Sequence, residues 1–239
     1  MSSNGVIITS AINTKFGIYT TEQRMAQTLD TVKSVRTYIP GAKIFLLEMA
    51  GLPLLDEQKS VLTQVVDHVF DYTSDPAVTG LFNSTDNWDV VKNVTEVMCF
   101  ARALQTLVDT GVTANFDRLF KVSGRYCLTD QFDLSFYQEY KNKTCMVVGT
   151  SKASQFSYQT TQIERQFMSR LWSWPAALTP EVIGAYNNSL QHMYQRLASG
   201  GYADIEHCLY KFLDHTKVIE KDVLGITGHI APNGAVIND

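Results

Sequence analysis

Val6-Ile7-Ile8-Thr9-Ser10-Ala11-Ile12-Asn13 is the stretch on which the reading of the fold turns. Consecutive apolar β-formers read as a strand buried on both faces, the habit of parallel strands in an α/β sheet, and the polar residues after them read as its C-terminal mouth. From Thr21 to Ile39 the apolar positions Met25, Leu29, Val32, Val35 and Ile39 recur at helical spacing, with Thr20 or Thr21 as N-cap and Pro40-Gly41 as the stop. Ala42 to Leu47 returns to a β pattern that ends in an acid, Glu48; Asp56 to Val65 then reads as a helix and His68 to Tyr72 as a strand. The order β-α-β-α-β predicts a mostly parallel sheet flanked by helices on both faces, with ligands beyond the strands' C-terminal ends.

Further along, Ser74 to Asp89 has the Gly, Asn, Ser and Asp content of a mobile surface loop. Val90 to Thr110 reads as the longest helix, with Val94, Val97, Met98, Ala101, Leu104 and Val108 on one face, and Asp117 to Val122 as another strand. Thr144 to Gly149 and Thr161 to Trp172 read as strands, Pro180 to Ala198 and Asp204 to Leu213 as helices. The final segment, Lys217 to Asp239, reads as a short strand followed by a loop rich in Gly225, Gly228, Pro232 and Gly234. No repeat, low-complexity tract or linker interrupts the chain, and its 239 residues suit one α/β domain spanning 1–239.

Hydrophobic residues at 45%, charged residues at 18% and a formal net charge of -4 describe an ordinary globular protein without the positive field that captures nucleic acid. The opening Met1-Ser2-Ser3-Asn4-Gly5 has no basic segment leading into an apolar one, and no apolar run reaches the length of a membrane span, so a cytoplasmic protein is expected. Cys99, Cys127, Cys145 and Cys208 stand singly and are expected as reduced core residues. The glycine-rich cradles of dinucleotide and triphosphate sites are missing, as are the serine-hydrolase elbow, the H-E-x-x-H metal motif and the kinase set.

Other residues carry a likeness. The T-S-A-I-N after the first strand, the helical R-M-A-Q-T-L-D-T-V-K-S-V, the P-G-A-K-I-F-L-L-E of the second strand and F-K-V-S-G-R-Y from Phe120 to Tyr126 resemble small GT-A-type glycosyltransferases, including those of phages and large viruses. The resemblance spans about residues 5 to 150. It implies a GT-A-like (Rossmann-like) mixed, mostly parallel sheet, and transfer of a hexose, glucose or a related sugar, from a UDP-sugar to a glycan, lipid or protein acceptor, with donor hydrolysis as a side reaction. If phage-encoded, the protein would work in the host cytoplasm. In that family an Asp-x-Asp after the central strand usually holds a divalent metal, Mn²⁺ or Mg²⁺; here Ser123-Gly124-Arg125 stands in its place. Either cationic side chains take over part of the metal's role or other residues hold it. The rival readings are a sugar-nucleotide-binding module without turnover and a nucleotidyltransferase, whose glycine-rich, lysine-bearing loop is absent.

The resemblance and the chemistry of a departing diphosphate nominate the site residues. Arg125 and Lys121 are candidates to grip phosphate, with Gly124 allowing close backbone approach and Ser123 and Tyr126 alongside; the alternative is that Arg125 pairs with a nearby acid. Lys92 and Asn93, with Thr95, stand near the start of the long helix, where its dipole favours an anion or where they are simply solvated. Thr9, Ser10, Ala11 and Ile12, with Glu48 and Arg24, are placed around the nucleoside; Glu48 could equally be an exposed strand end and Arg24 a partner for a surface acid. Glu206, with Asp204 second, is the catalytic acid or base, or a dipole partner of its helix. His229 is the candidate metal ligand or an exposed loop histidine, and Trp172 and Trp174 either stack on the acceptor or belong to the core.

Overall fold

The computed structural model describes residues 3–230 and 234–239. β1 (Asn4–Ser10) lies at the middle of the sheet, buried along its whole length, because both its neighbours, β2 (Lys43–Glu48) and β4 (Arg118–Ser123), pair with it in parallel and helices cover both faces. β3 (His68–Asp71) extends the sheet beyond β2; β9 (Leu171–Pro175), β6 (Met146–Gly149) and β10 (Val218–Lys221) extend it beyond β4, giving the order β10-β6-β9-β4-β1-β2-β3. Within this seven-stranded sheet β9 alone runs antiparallel to its neighbours, so the sheet is mixed and mostly parallel.

Strand alternation sorts the core into two layers. Ile7, Phe45, Leu47, Leu119, Trp172 and Trp174 face α4 (Trp88–Asp109), α6 (Thr179–Ala198) and α7 (Ile205–Phe212). Val6, Ile8, Ile44, Leu46, Phe120 and Val122 face α1 (Thr21–Tyr38) and α2 (Asp56–Val65), together with Tyr126, Phe132 and Tyr137. Of the two N-caps the sequence offered, Thr20 and not Thr21 caps α1, through a reciprocal pair with Gln23. Among the described residues no helix is long and apolar enough to cross a membrane. All four cysteines are free; Cys99 and Cys208 are buried, whereas Cys127 and Cys145 are only half-buried.

The structure departs from the sequence reading in three places. The expected loop Ser74 to Asp89 contains α3 (Pro76–Ser84), started by Asp75 as N-cap and Pro76 in the first turn, and Asn87 caps α4 from Trp88 onward. The expected strand Thr161 to Trp172 breaks up. Thr161 closes the short α5 (Tyr158–Thr161), Gln162 turns left-handed, and β8 (Arg165–Gln166) pairs only with β7 (Lys152–Ala153), leaving the main-sheet strand to start at Leu171. Glycines 225 and 228 read as loop signals, yet β5 (Tyr126–Leu128), β11 (Ile226–His229) and β12 (Val236–Asn238) form a second, antiparallel sheet. Gly228 is a packing residue there, since a Cβ would come within 2.3 Å of the Arg125 carbonyl oxygen and 2.5 Å of the Tyr126 ring. Pro232 lies outside the described residues.

Glu48 is the largest correction at the strand ends. It is fully buried, not offered to a nucleoside. Its carboxylate takes the Ser10 hydroxyl and the backbone N–H groups of Ile12, at 3.0 Å, and Ala50, at 3.1 Å, and so ties the mouth of β1 to that of β2. Ile12 is held by this bond with its side chain in the core, away from any ligand. Burial pushes the Glu48 carboxyl above its ordinary range, against the pull of those donors. A carboxyl raised in the fold binds its proton more tightly folded than unfolded; its contribution is complete below the unfolded value and is lost as pH rises through the folded one. Glu48→Gln keeps an acceptor for both N–H groups, so urea titrations from about pH 4 to 8 should show the Gln variant gaining on the wild type as pH rises. Glu48→Ala, which orphans both, should cost about 2–4 kcal/mol throughout.

Candidate functional site

Beyond the C-terminal ends of β1 and β4 lies a cleft of about 510 Å³. Its walls come from Thr9 and Ser10, the first turns of α4, the Ser123–Tyr126 turn, the 166–170 segment and the start of α7. A smaller cavity of about 280 Å³ opens beside it, lined by Phe16, Phe82, Val91 and Thr95 among others. Ala11, Met49, Trp88, Lys92 and Arg125 belong to both, so these five residues form the junction.

Two cations stand at that junction without partners. Neither the Lys92 ammonium nor the Arg125 guanidinium makes a side-chain hydrogen bond or ion pair among the described residues, and Arg125 Nε is buried with nothing to accept from it. The local chain explains the placement. Gly124 N donates to the Thr9 carbonyl at 2.8 Å, and a Cβ on Gly124 would sit 3.0 Å from that oxygen, so glycine lets the turn close onto the mouth of β1 and present Arg125 over the junction. Arg24 stands behind it, buried and spent on the carbonyls of Ala11, Phe16 and Tyr19. Burial, and then the positive charge of Arg125, pull the Arg24 guanidinium below its usual range. Arg24 thus builds the loop around the smaller cavity, where a surface ion pair had been the alternative. The two cations feel the carboxylates of Glu96 and, for Lys92, of Asp89 and Glu206, but no acceptor is bonded to either.

Lys121 does not share this role. It is fully buried, 2.7 Å from Glu96 of α4, and also donates to Ser123 Oγ and the Ser169 carbonyl, each at 2.7 Å. An ammonium with its donors so committed cannot grip a phosphate. Burial pushes Lys121 down, while Glu96, penalised by burial, is held below the ordinary carboxylate range by Lys121, Lys92 and Arg125. Asn93 is likewise structural: its amide nitrogen donates to the Asp89 carbonyl and the Tyr202 hydroxyl, and its oxygen accepts from Ile205 N. Thr9 donates to Glu96, and Thr95 back-bonds to the Val91 carbonyl. Trp172 and Trp174 are core residues, 1% and 0% exposed on β9, because their strand is covered by α4 and α6. The tryptophan that reaches the site is Trp88, which the sequence reading assigned to a loop.

Across the cleft stand the acids. Asp204 caps α7, accepting the His207 N–H at 3.0 Å and meeting the buried His207 ring nitrogen Nδ1 at 2.5 Å. Glu206, two residues on, takes the Ser169 hydroxyl at 2.5 Å; burial, and then the Asp204 carboxylate, push its carboxyl up against the pull of Lys92. Tyr126 lines the same cleft beneath the Arg170 guanidinium, which is paired with Asp239. His229 is exposed on β11, its ring edge-on to Tyr19. Among the described residues no three His, Cys, Asp or Glu groups gather as an all-protein metal site would need, and His229 has no such co-ligands.

The cleft therefore offers a ligand one positive end and one carboxylate-rich end, with an apolar side chamber at the positive end. No protein-family model and no curated protein matches the chain. The geometry carries its own tests. Lys121→Met should cost about 3–5 kcal/mol by leaving Glu96 buried and unpaired, and adding Glu96→Leu should recover much of it in the same unfolding assay. Arg125→Ala and Lys92→Ala, which break no contact, should stay within about 0.5 kcal/mol of wild type.

Proposed function

We propose that the protein is a glycosyltransferase of the GT-A-like type that transfers a hexose from a UDP-sugar to an acceptor hydroxyl. The observation that carries the reading is the pair of cations free of hydrogen bonds and ion pairs, Lys92 and Arg125, beyond the ends of parallel strands where α/β sheets bind ligands. The diphosphate sits on these two side chains, the nucleoside in the smaller cavity by Ala11 and Trp88, and the sugar in the larger cleft, facing Glu206 and Asp204. A mixed, mostly parallel sheet and the Ser123-Gly124-Arg125 turn support the assignment.

In the reaction, the bond from the sugar's anomeric carbon to the β-phosphate oxygen breaks, and a bond from that carbon to the acceptor oxygen forms. Charge grows on the departing UDP, and preorganised Lys92 and Arg125 lower the cost of that growth in a site partly shielded from water. The acceptor's proton goes to Glu206, whose raised affinity for a proton makes it a stronger base than an ordinary carboxylate. No step is assigned to a metal, since Arg125 occupies the position where the resemblance would place its ligands.

Thermal unfolding with a panel of nucleoside diphosphate sugars, with and without Mn²⁺, tests the reading together with detection of released UDP. A UDP-sugar should stabilise the wild type by about 2–4 kcal/mol at saturating ligand without needing the metal. Arg125→Ala should lose most of that gain. Glu206→Gln should keep it while UDP release falls by about 10²–10⁴-fold. Turnover of the wild type should climb as pH rises through the elevated Glu206 value, because the base acts ionised, and the Gln variant should lack this limb. Stabilisation without UDP release under any condition would leave a binding module, and indifference to every sugar nucleotide would remove the assignment.

A further inference from the structure

The opposite end of the sheet holds a polar cavity of about 330 Å³ at the N-terminal ends of β1 and β4, and the reaction proposed above has no use for it. Arg118, the first residue of β4, lines it and is 3% exposed. Its guanidinium gives one N–H to Ser173 Oγ at 2.8 Å, one to the Cys145 carbonyl at 3.0 Å and one to the Asn142 carbonyl. Arginine has five donors, so two are left over, and none of the three acceptors is a carboxylate. Arg118 forms no ion pair among the described residues. Its charge is buried without a counter-ion, an arrangement that costs free energy wherever it persists.

The surrounding groups make the cavity a receptor for the missing charge. Asn4 and Tyr137 line it, 7% and 4% exposed, and neither the Asn4 amide nor the Tyr137 hydroxyl has a hydrogen-bond partner. Neither group is spent within the protein, so both polar side chains on this wall are open to a molecule in the cavity. Lys143, exposed and unpaired at the rim, adds a second positive charge. The one acid on the wall, Asp117, accepts the Ser3 N–H at 2.8 Å through one oxygen and makes no ion pair with Arg118. Buried water could satisfy the amide and the hydroxyl, but it would leave the Arg118 charge uncompensated.

We propose that this cavity is a binding site for a small oxyanion, a molecule whose phosphate or carboxylate group neutralises Arg118 while Asn4, Tyr137 and Lys143 donate to it. The site is separate from the cleft and does not depend on the glycosyltransferase reading. Burial alone pushes the Arg118 guanidinium down to about 10, and a bound anion would restore it.

The test uses the full chain carrying Lys92→Ala and Arg125→Ala, so that the cleft cannot contribute, and titrates inorganic phosphate and, separately, malonate against sodium chloride at equal ionic strength. Binding is followed by calorimetry and by amide shifts of residues 117–118 and 137–143. Saturable binding by one or both probes with a Kd at or below about 1 mM is expected, and which probe wins identifies the acidic group. Tyr137→Phe with Lys143→Gln keeps the aromatic packing and breaks no bond, and should weaken that binding at least about 10-fold, equivalent to 1.4 kcal/mol. No saturable binding of either probe at about 10 mM, or binding that the double variant leaves unchanged, would overturn the proposal.

Discussion

The buried pair between Lys121 of β4 and Glu96 of α4 is the constraint on which the site rests. A parallel sheet leaves the ends of its strands pointing at whatever covers them, and here a helix must cross close over the mouths of β1 and β4. The pair fixes α4 at that crossing, with Thr9 and Ser123 hydroxyls completing the coordination of its two charges. Because Lys121 bonds Glu96 directly, Lys92 and Arg125 are left with no ion-pair partner among the described residues. Lys92, one helical turn before Glu96, and Arg125, just past the end of β4, are carried to the same junction by the two elements the pair joins.

Most of the central architecture was legible from patterning alone. The runs at Val6 to Ile8 and Ile44 to Leu47 are apolar at every position because both faces of those strands are covered, and α1 and α4 show their periodicity openly, α1 with its cap as well. What patterning hid was local capping chemistry. Asp75-Pro76 is a helix start as good as any in the chain, but the Gly, Asn and Ser that follow imitate a loop and concealed α3, and with it the packing of Phe82 against Phe16 beside the smaller cavity.

The site was legible only where position and exposure agree. Arg125 could be placed because it follows a strand end and a glycine. Lys121 could have been separated from it by strand alternation, since it shares its face with Leu119, on the side covered by α4. A cation inside an apolar alternation signals a buried partner rather than a ligand. The tryptophans reverse the same lesson. Trp172 and Trp174 alternate on a strand that is covered on both sides, whereas Trp88 begins a helix at the edge of the cleft and is 37% exposed. Glu48 misled for another reason: two of its three donors, the Ser10 hydroxyl and the Ile12 N–H, come from the neighbouring strand mouth, and contacts of that kind leave no trace in sequence spacing.

The strand β4 and the turn after it carry three cations under three degrees of compensation. Lys121 has a carboxylate, three strong acceptors in all, and no surface; its charge is consumed by the fold. Arg118 has carbonyl and hydroxyl dipoles but no opposite charge, so its desolvation is only partly repaid. The Arg125 guanidinium has no bonded dipole and no ion pair among the described residues, only the attraction of Glu96, and its Nε is buried with no acceptor at all. A folded chain tolerates such a debt only at a few places, and each uncompensated group lowers the free energy of any anion that reaches it by the amount the fold has left unpaid. Ranking the three by what they lack, rather than by how exposed they are, places binding capacity at the two ends of the strand and stability at its centre.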